Sequence, residues 1–261
     1  MSRENLSVTF LGTGTSQGIP VIGCKCKVCK STSSLDKRLR SSIYLTKGNS
    51  SIVVDTGPDF RQQMLNNDID RLDAVLFTHE HKDHVAGLDD VRSFNFLQKK
   101  PVDIFCSDRV FECLKREYIY IFDEKFNYPG IPKINRFELE NKPFTYKDFK
   151  IQPILVKHYK LPVFGFRIED FCYITDASYI EEQEKKKMYN LDVLVINALR
   201  KEKHISHFNL QEALDLINEL NPKTAYLTHI SHLLGLHDEV SSELPENVFL
   251  SYDNLRLTIP S

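Results

Sequence analysis

The chain has 261 residues, with 34 Lys+Arg against 36 Asp+Glu, a formal charge of -2 at pH 7, 41% hydrophobic residues and 27% charged ones. That near-balance argues against nucleic acid held through bulk charge, and the composition excludes a disordered or fibrous chain. The longest uninterrupted apolar run is Tyr118 to Phe122, far short of the roughly 18 residues of a membrane span, so no membrane partner is expected.

The chain opens Met-Ser-Arg-Glu-Asn-Leu, with an early acidic residue that argues against an export signal and for a cytoplasmic location. No repeat and no Ser/Gly/Pro-rich linker divides the chain, so residues 1–261 are read as one domain. A first strand is expected over 7–11. The Gly12-Thr13-Gly14 that ends it lacks a following Gly-Lys-Ser/Thr and is therefore read as a tight turn lining the site, not a nucleotide P-loop. Next comes Cys24-x-Cys26-x-x-Cys29, three thiols that leave a tetrahedral zinc one ligand short; the same spacing would also suit redox-active or simply free thiols. Strands are expected over 42–46, 51–55 and 74–78. Between the last two, Arg61 either meets a substrate phosphate or covers a helix face. Further strands are expected over 149–156, 163–168, 171–175, 193–198, 224–228, 248–251 and 255–259. After Asn209, Leu210, Ala213, Leu214, Ile217 and Leu220 recur at helical spacing, with Asn209 and Glu212 placed to cap. Cys106, Cys113 and Cys172 lie in apolar or helical surroundings and read as core thiols.

The strongest chemical signal is Thr78-His79-Glu80-His81-Lys82-Asp83-His84, directly after an apolar strand. Side chains two apart on an extended segment point the same way, so His79 and His81 can hold one metal, and a turn brings Asp83 and His84 to a second. Imidazole with carboxylate suits Zn²⁺ first and Mn²⁺ or Fe²⁺ second, against the bland reading of a His-rich polar loop.

His79-x-His81-x-Asp83-His84, preceded by Val53-Val54-Asp55-Thr56-Gly57, resembles the metallo-β-lactamase superfamily over nearly the whole chain. Gly12-Thr13-Gly14-Thr15-Ser16, the Cys cluster and Thr228-His229-Ile230-Ser231-His232 resemble the branch containing phosphoribosyl 1,2-cyclic phosphate phosphodiesterase. The resemblance implies an α/β αββα sandwich with two divalent metals at one edge. It places His79, His81, His158 and Asp176 on the first metal, and Asp83, His84, Asp176 and His229 on the second. Asp55 is expected to support the metal loop by hydrogen bonds. The resemblance also adds His232 to Cys24, Cys26 and Cys29, closing a structural Zn²⁺ site.

The implied reaction is hydrolysis of a small or cyclic phosphodiester by a metal-bridging hydroxide, with a small phosphate ester as partner. His207, 22 residues before His229, is at the spacing of that branch's general-acid His, with His204 the runner-up. Asp83 is counted with His207 among the catalytic groups, and Arg61 and His204 among the substrate-binding ones. The Arg61 segment departs from the branch pattern and leaves the natural substrate open. A tRNA 3′-processing endonuclease should carry a basic arm, yet residues 99–150 hold eleven Lys/Arg against nine Asp/Glu. Thioester hydrolysis and a non-catalytic metal module would use the same ligands, and whether two chains pair as a homodimer is open.

Overall fold

Strands that are apolar at consecutive positions, such as Val53-Val54 and Val193-Leu194-Val195-Ile196, have no face for water and must lie between layers. A computed structural model describes residues 4–126 and 128–260 and places them so. Residues 1–3, on which the expectation of no export signal partly rests, lie outside the described residues.

The first sheet contains β1 (Leu6–Gly12), β2 (Ser42–Lys47), β3 (Ser50–Val54), β4 (Ala74–Leu76), β5 (Val102–Cys106), β6 (Ile134–Glu138) and the C-terminal β15 (Arg256–Ile259). Its order is β15-β1-β2-β3-β4-β5-β6. Pairing is antiparallel from β15 to β3 and parallel from β3 to β6. The second sheet contains β7 (Phe144–Tyr146), β8 (Phe149–His158), β9 (Leu161–Ile168), β10 (Phe171–Tyr173), β11 (Tyr179–Ile180), β12 (Val193–Asn197), β13 (Thr224–Thr228) and β14 (Val248–Leu250). It repeats the plan: β11-β8-β9-β10 antiparallel, then β10-β12-β13-β14 parallel, with β7 beside β8.

Period-2 alternation sorts the strand side chains into layers. Ile52, Val54, Ala74 and Leu76 face Phe166, Phe171, Tyr173 and Val195 between the sheets. Val53 and Val75 turn outward onto α2 (Phe60–Asn66), α4 (Arg92–Gln98) and α5 (Asp108–Glu117). On the far side Leu194, Ile196, Ala225 and Leu227 pack on α8 (Leu210–Leu220) and on Val240 of α9 (His237–Ser241). Each fully buried aliphatic or Phe side chain contributes on the order of 1.5–3 kcal/mol. The layers are the expected αββα sandwich. Shorter helices occupy its edges: α1 (Lys27–Lys30) in the Cys segment, α3 (Lys82–Val85) in the His segment, α6 (Ile119–Phe122) and α7 (Glu182–Lys185). Among the described residues no helix is long and apolar enough to cross a membrane.

The helix expected after Asn209 is α8, closed by the full capping box: Asn209 accepts from the Glu212 amide and Glu212 accepts from the Asn209 amide. Its buried stripe is Ala213, Leu216, Ile217 and Leu220, with Leu210 and Leu214 at its margin. Four strands went unforeseen. β6 and β7 expose alternate residues at sheet edges, β11 has two residues, and Asp103 interrupts β5. Cys106, Cys113 and Cys172 are buried as expected.

Just before β4, Asp73 is buried and accepts hydrogen bonds from the Ser51 amide, Lys100 and Lys147. Burial alone would raise its pKa, but these donors outweigh it and hold the carboxyl at about 2. A depressed folded-state pKa means that the stabilisation is full above the ordinary value of 3.8 and is lost as pH falls through about 2. Asp73→Asn should therefore be less stable than the parent at about pH 7 in urea denaturation, with the gap closing between about pH 4 and pH 2. A gap independent of pH would assign the loss to shape alone.

Candidate metal centre

The candidate site residues gather where the parallel halves of the two sheets end, the place where open α/β sheets hold ligands. Asp55 follows β3, Thr78 and His79 follow β4, Asp176 follows β10, and His229 follows β13. Asp55, Asp176 and His229 have φ of 63°, 56° and 54°. These left-handed conformations turn the chain sharply at the strand ends, at a cost of about 1–3 kcal/mol each.

The His segment is held from beneath. The Thr56 amide donates to His84 O at 2.8 Å and the Gly87 amide to Thr56 O at 2.8 Å. A Cβ on Gly57 would lie 2.1 Å from Asp83 O, so only glycine lets the two segments approach this closely. Asp55, fully buried, accepts from the Thr78 amide at 2.8 Å and from the Thr78 hydroxyl at 2.7 Å, and lies 2.6 Å from His84 Nδ1. It acts through hydrogen bonds, in the role expected of it.

Asp83, His84, Asp176 and His229 each offer an atom within 4.8 Å of the others. Asp176 divides its carboxylate: Oδ2 is 3.3 Å from His84 Nε2, and Oδ1 is 3.3 Å from His229 Nε2 and 3.1 Å from His207 Nε2. His84 Nε2 is also 3.2 Å from Asp83 Oδ2. The His79 ring lies 4.6 Å from that of His81, 4.2 Å from that of His84 and 5.8 Å from that of His158. His158 and His81 are 5.2 Å apart, and His158, Asp176 and His207 form a second group of converging ligand atoms. His79 Nε2 and His84 Nε2 are buried and make no hydrogen bond of good geometry.

Electrostatics follow from burial and neighbours. Burial drives the His79 imidazole well below its ordinary pKa and His229 to about 4. Burial also opposes a charge on His84, but Asp83, Asp176 and Asp55 outweigh it and hold a proton there. Against burial, His229 and His84 keep the Asp176 carboxylate ionised. A proton locked among three carboxylates occupies the place that a cation would take on binding. Together with the buried His79 Nε2, which makes no hydrogen bond, this donor set fits divalent metals.

His207 caps this centre, with Nδ1 3.1 Å from Ser206 Oγ and 3.1 Å from His204 Nδ1. His204 touches Ser206 and His207 but not Asp176. Arg61 is exposed on α2, within electrostatic reach of Asp90, and is not brought to the His cluster. Sequence reasoning passed over several supports. Asn197 clamps the residue after Asp176, accepting from the Ala177 amide at 2.7 Å and donating to its carbonyl at 2.9 Å. The Ser41 and Thr175 hydroxyls lie 3.2 and 3.3 Å from His229 Nδ1. A cavity of about 530 Å³ opens beside His81 and His158 and is also lined by Arg109, Tyr159, Lys160 and Ile205.

Cys24, Cys26, Cys29 and His232 form a separate cluster of atoms within 4.8 Å. Cys24 Sγ and Cys26 Sγ are each 3.3 Å from His232 Nδ1, and the Val21 and Cys29 amides donate to Cys29 and Cys26 sulfur. The Cys29 amide and His232 lower Cys26 to about 6. Residues 12–14 do not make the expected tight turn: Gly12 ends β1, Gly14 bridges Arg40 and Ile230, and the chain turns at Ser16-Gln17. The segment is a brace for this region: Ile230 donates to Thr13 O at 2.9 Å, and Thr15 donates to Ile230 O at 3.1 Å. His237 is structural, its amide bonded to Asp36 and its ring 3.2 Å from buried Arg38.

A family model described as a beta-lactamase superfamily domain matches residues 50–230. The chain belongs to the metallo-β-lactamase superfamily of hydrolases, the class that the sandwich and its edge cluster define. Within it, a solved structure described as a new diphosphatase from the PhnP family superposes with a TM-score of 0.92 at 33% identity, covering 98% of this chain and 97% of that one. An octanoyltransferase of Porphyromonas gingivalis is 37% identical over 253 residues, 96% of this chain and 51% of the relative. A ribonuclease Z of Staphylococcus epidermidis is 27% identical over 170 residues, 63% of this chain and 49% of the relative. The chain thus spans about half the length of these two curated relatives.

Because Asp55 is the buried partner of His84, Asp55→Ala should cost about 3–5 kcal/mol of stability in urea denaturation of the metal-free protein. A loss below about 1 kcal/mol would show that His84 does not depend on it.

Proposed function

We propose that the chain is a dinuclear metal-dependent phosphodiesterase acting on a small or cyclic phosphodiester. The observation that carries this reading is the divided carboxylate of Asp176, one oxygen toward His84 and the other toward His229 and His207. His79, His81, His158 and Asp176 would hold one metal, and Asp83, His84, Asp176 and His229 the other. When bound, two such cations supply a water acidified toward neutrality and neutralise non-bridging phosphate oxygens.

The remaining work falls to the chain. Asp83 and Asp176 stay anionic and fix the imidazoles around them. His207 turns Nε2 to the cluster, 3.1 Å from Asp176 Oδ1, and from there delivers a proton to the leaving alkoxide. His204 and Ser206 orient that ring from Nδ1 rather than reaching the reacting atoms. The similarity to a PhnP-family diphosphatase supports attack at phosphorus. A closed Cys24, Cys26, Cys29 and His232 shell offers no open position and suits a structural Zn²⁺.

A second reading, hydrolysis of a thioester or other ester, is favoured by one observation: the 37% identical relative is named an octanoyltransferase, a protein of which this chain matches 51%. The two readings separate in rates measured side by side on a ribose cyclic phosphate, an activated 4-nitrophenyl phosphodiester, a precursor tRNA and an octanoyl thioester. The first two should be the substrates cleaved. His207→Ala should slow the cyclic phosphate by on the order of 10²–10⁴ and the 4-nitrophenyl ester far less, because only the alkoxide needs a proton. Equal losses would remove the acid role, and turnover confined to the thioester would overturn the phosphodiesterase reading. Metal analysis should find about three metals per chain, and Cys26→Ser about one fewer, the one that resists mild chelation. About one metal in all would overturn the dinuclear centre.

A further inference from the structure

β8 ends at His158 and β9 begins at Leu161, and these two residues pair directly, leaving Tyr159 and Lys160 as a two-residue turn. Tyr159 has a φ of 56°, a left-handed conformation that glycine or asparagine adopts cheaply and an aromatic residue does not. Such strain persists where the surroundings enforce it, and here they do. The Tyr159 amide donates to Ser178 Oγ at 3.0 Å, and Ser178 donates to Lys157 O through its amide at 2.7 Å and its hydroxyl at 3.0 Å. Ser178 lies two residues after Asp176, so the turn is tied to the segment carrying the shared carboxylate.

The turn lines the cavity of about 530 Å³ beside His81 and His158. Within it, Arg109 is committed to an ion pair with Glu80. Lys160 has no carboxylate partner among the described residues; its Nζ stands 5.3 Å from the centroid of the Tyr159 ring. The Tyr159 side chain is 53% exposed, and Ile205 is 70% exposed on the same cavity. An ammonium without a carboxylate partner, set over an aromatic ring and beside an apolar side chain, fits a ligand with an anion next to a flat ring.

Resting on the phosphodiesterase reading, we propose that Tyr159 and Lys160 are the specificity-determining pair of this site. They select nucleotide-like esters that carry a ring for Tyr159 and, beyond the phosphate under attack, a second anionic group for Lys160.

The test is calorimetric titration of the metal-loaded protein with inorganic phosphate, thymidine 5′-monophosphate and thymidine 3′,5′-bisphosphate. The bisphosphate should bind about tenfold more tightly than the monophosphate, and Lys160→Met should reduce that preference to about twofold or less. Tyr159→Gly, which removes the ring and relieves the backbone, should lower the preference for monophosphate over inorganic phosphate by about tenfold while raising the thermal midpoint. A bisphosphate preference that is absent from the parent or unchanged in Lys160→Met overturns the proposal, as does an unchanged nucleotide-to-phosphate ratio in Tyr159→Gly. Binding is read apart from turnover. A parent protein that shows both contrasts yet hydrolyses no 4-nitrophenyl phosphodiester supports the recognition role and overturns the reaction class alone.

Discussion

Imidazoles crowded at the buried edge of a sandwich can serve one centre only if each ring is held with a ligand nitrogen facing inward. For four of the rings here the scaffold takes hold at Nδ1. His79 Nδ1 lies 2.9 Å from the Thr78 hydroxyl, His84 Nδ1 2.6 Å from Asp55, His158 Nδ1 2.7 Å from Ser206 O, and His229 Nδ1 3.2 Å from Ser41 Oγ. With Nδ1 engaged by the scaffold, Nε2 of these four rings is the atom left for the centre, and partners of this kind set both the tautomer and the ring orientation of metal-binding histidines. Asp55 is the most committed of them, since its two oxygens hold the Thr78 amide, the Thr78 hydroxyl and His84 together.

The sandwich supplies these partners because both sheets change from antiparallel to parallel pairing partway across. Parallel strands end at one edge, and strands from the two sheets end there together: β3 and β4 from one, β10, β12 and β13 from the other. The Phe164 amide donates to Thr78 O at 3.0 Å and joins the sheets at this level. Left-handed residues at 55, 176 and 229 then turn each chain aside within one residue of its functional side chain. The energy stored there is sustained by two buried cores, one between the sheets and one beneath α8, and by the clamp of Asn197 on Ala177.

How much of this was legible in the sequence depended on how local it was. His79 to His84 lies in one run, so its chemistry shows in the residues themselves, and α8 announces itself through Asn209, Glu212 and a helical stripe. His158, Asp176 and His229 are single residues at or just past the ends of separate strands; only the family resemblance singled them out. The supports were beyond reach for a different reason. Ser41, Thr175 and Asn197 are common polar residues that gain meaning only from which buried atom they meet. Tyr159 carries no mark of its backbone conformation, because nothing in its residue type announces a positive φ. Edge strands such as β6 alternate half-exposed with exposed residues and so lack the continuous apolar run that identified β3, β4 and β12.

The Cys cluster and the segment after β1 are distant from His229 in sequence, yet both grip the segment that carries it. Thr13 and Thr15 pair with Ile230, Ser231 donates to Leu199 O at 3.0 Å, and His232 closes on Cys24 and Cys26. His229 is therefore held at a positive φ by backbone bonds just after it and by a side-chain cluster three residues on. A cation bound by the thiolates would tighten this grip without touching the reacting groups, since the coupling runs through the rigid stretch 229–232. The N-terminal loop is on this view part of the edge that carries the candidate ligands, because it fixes the stretch that holds the His229 imidazole beside Asp176.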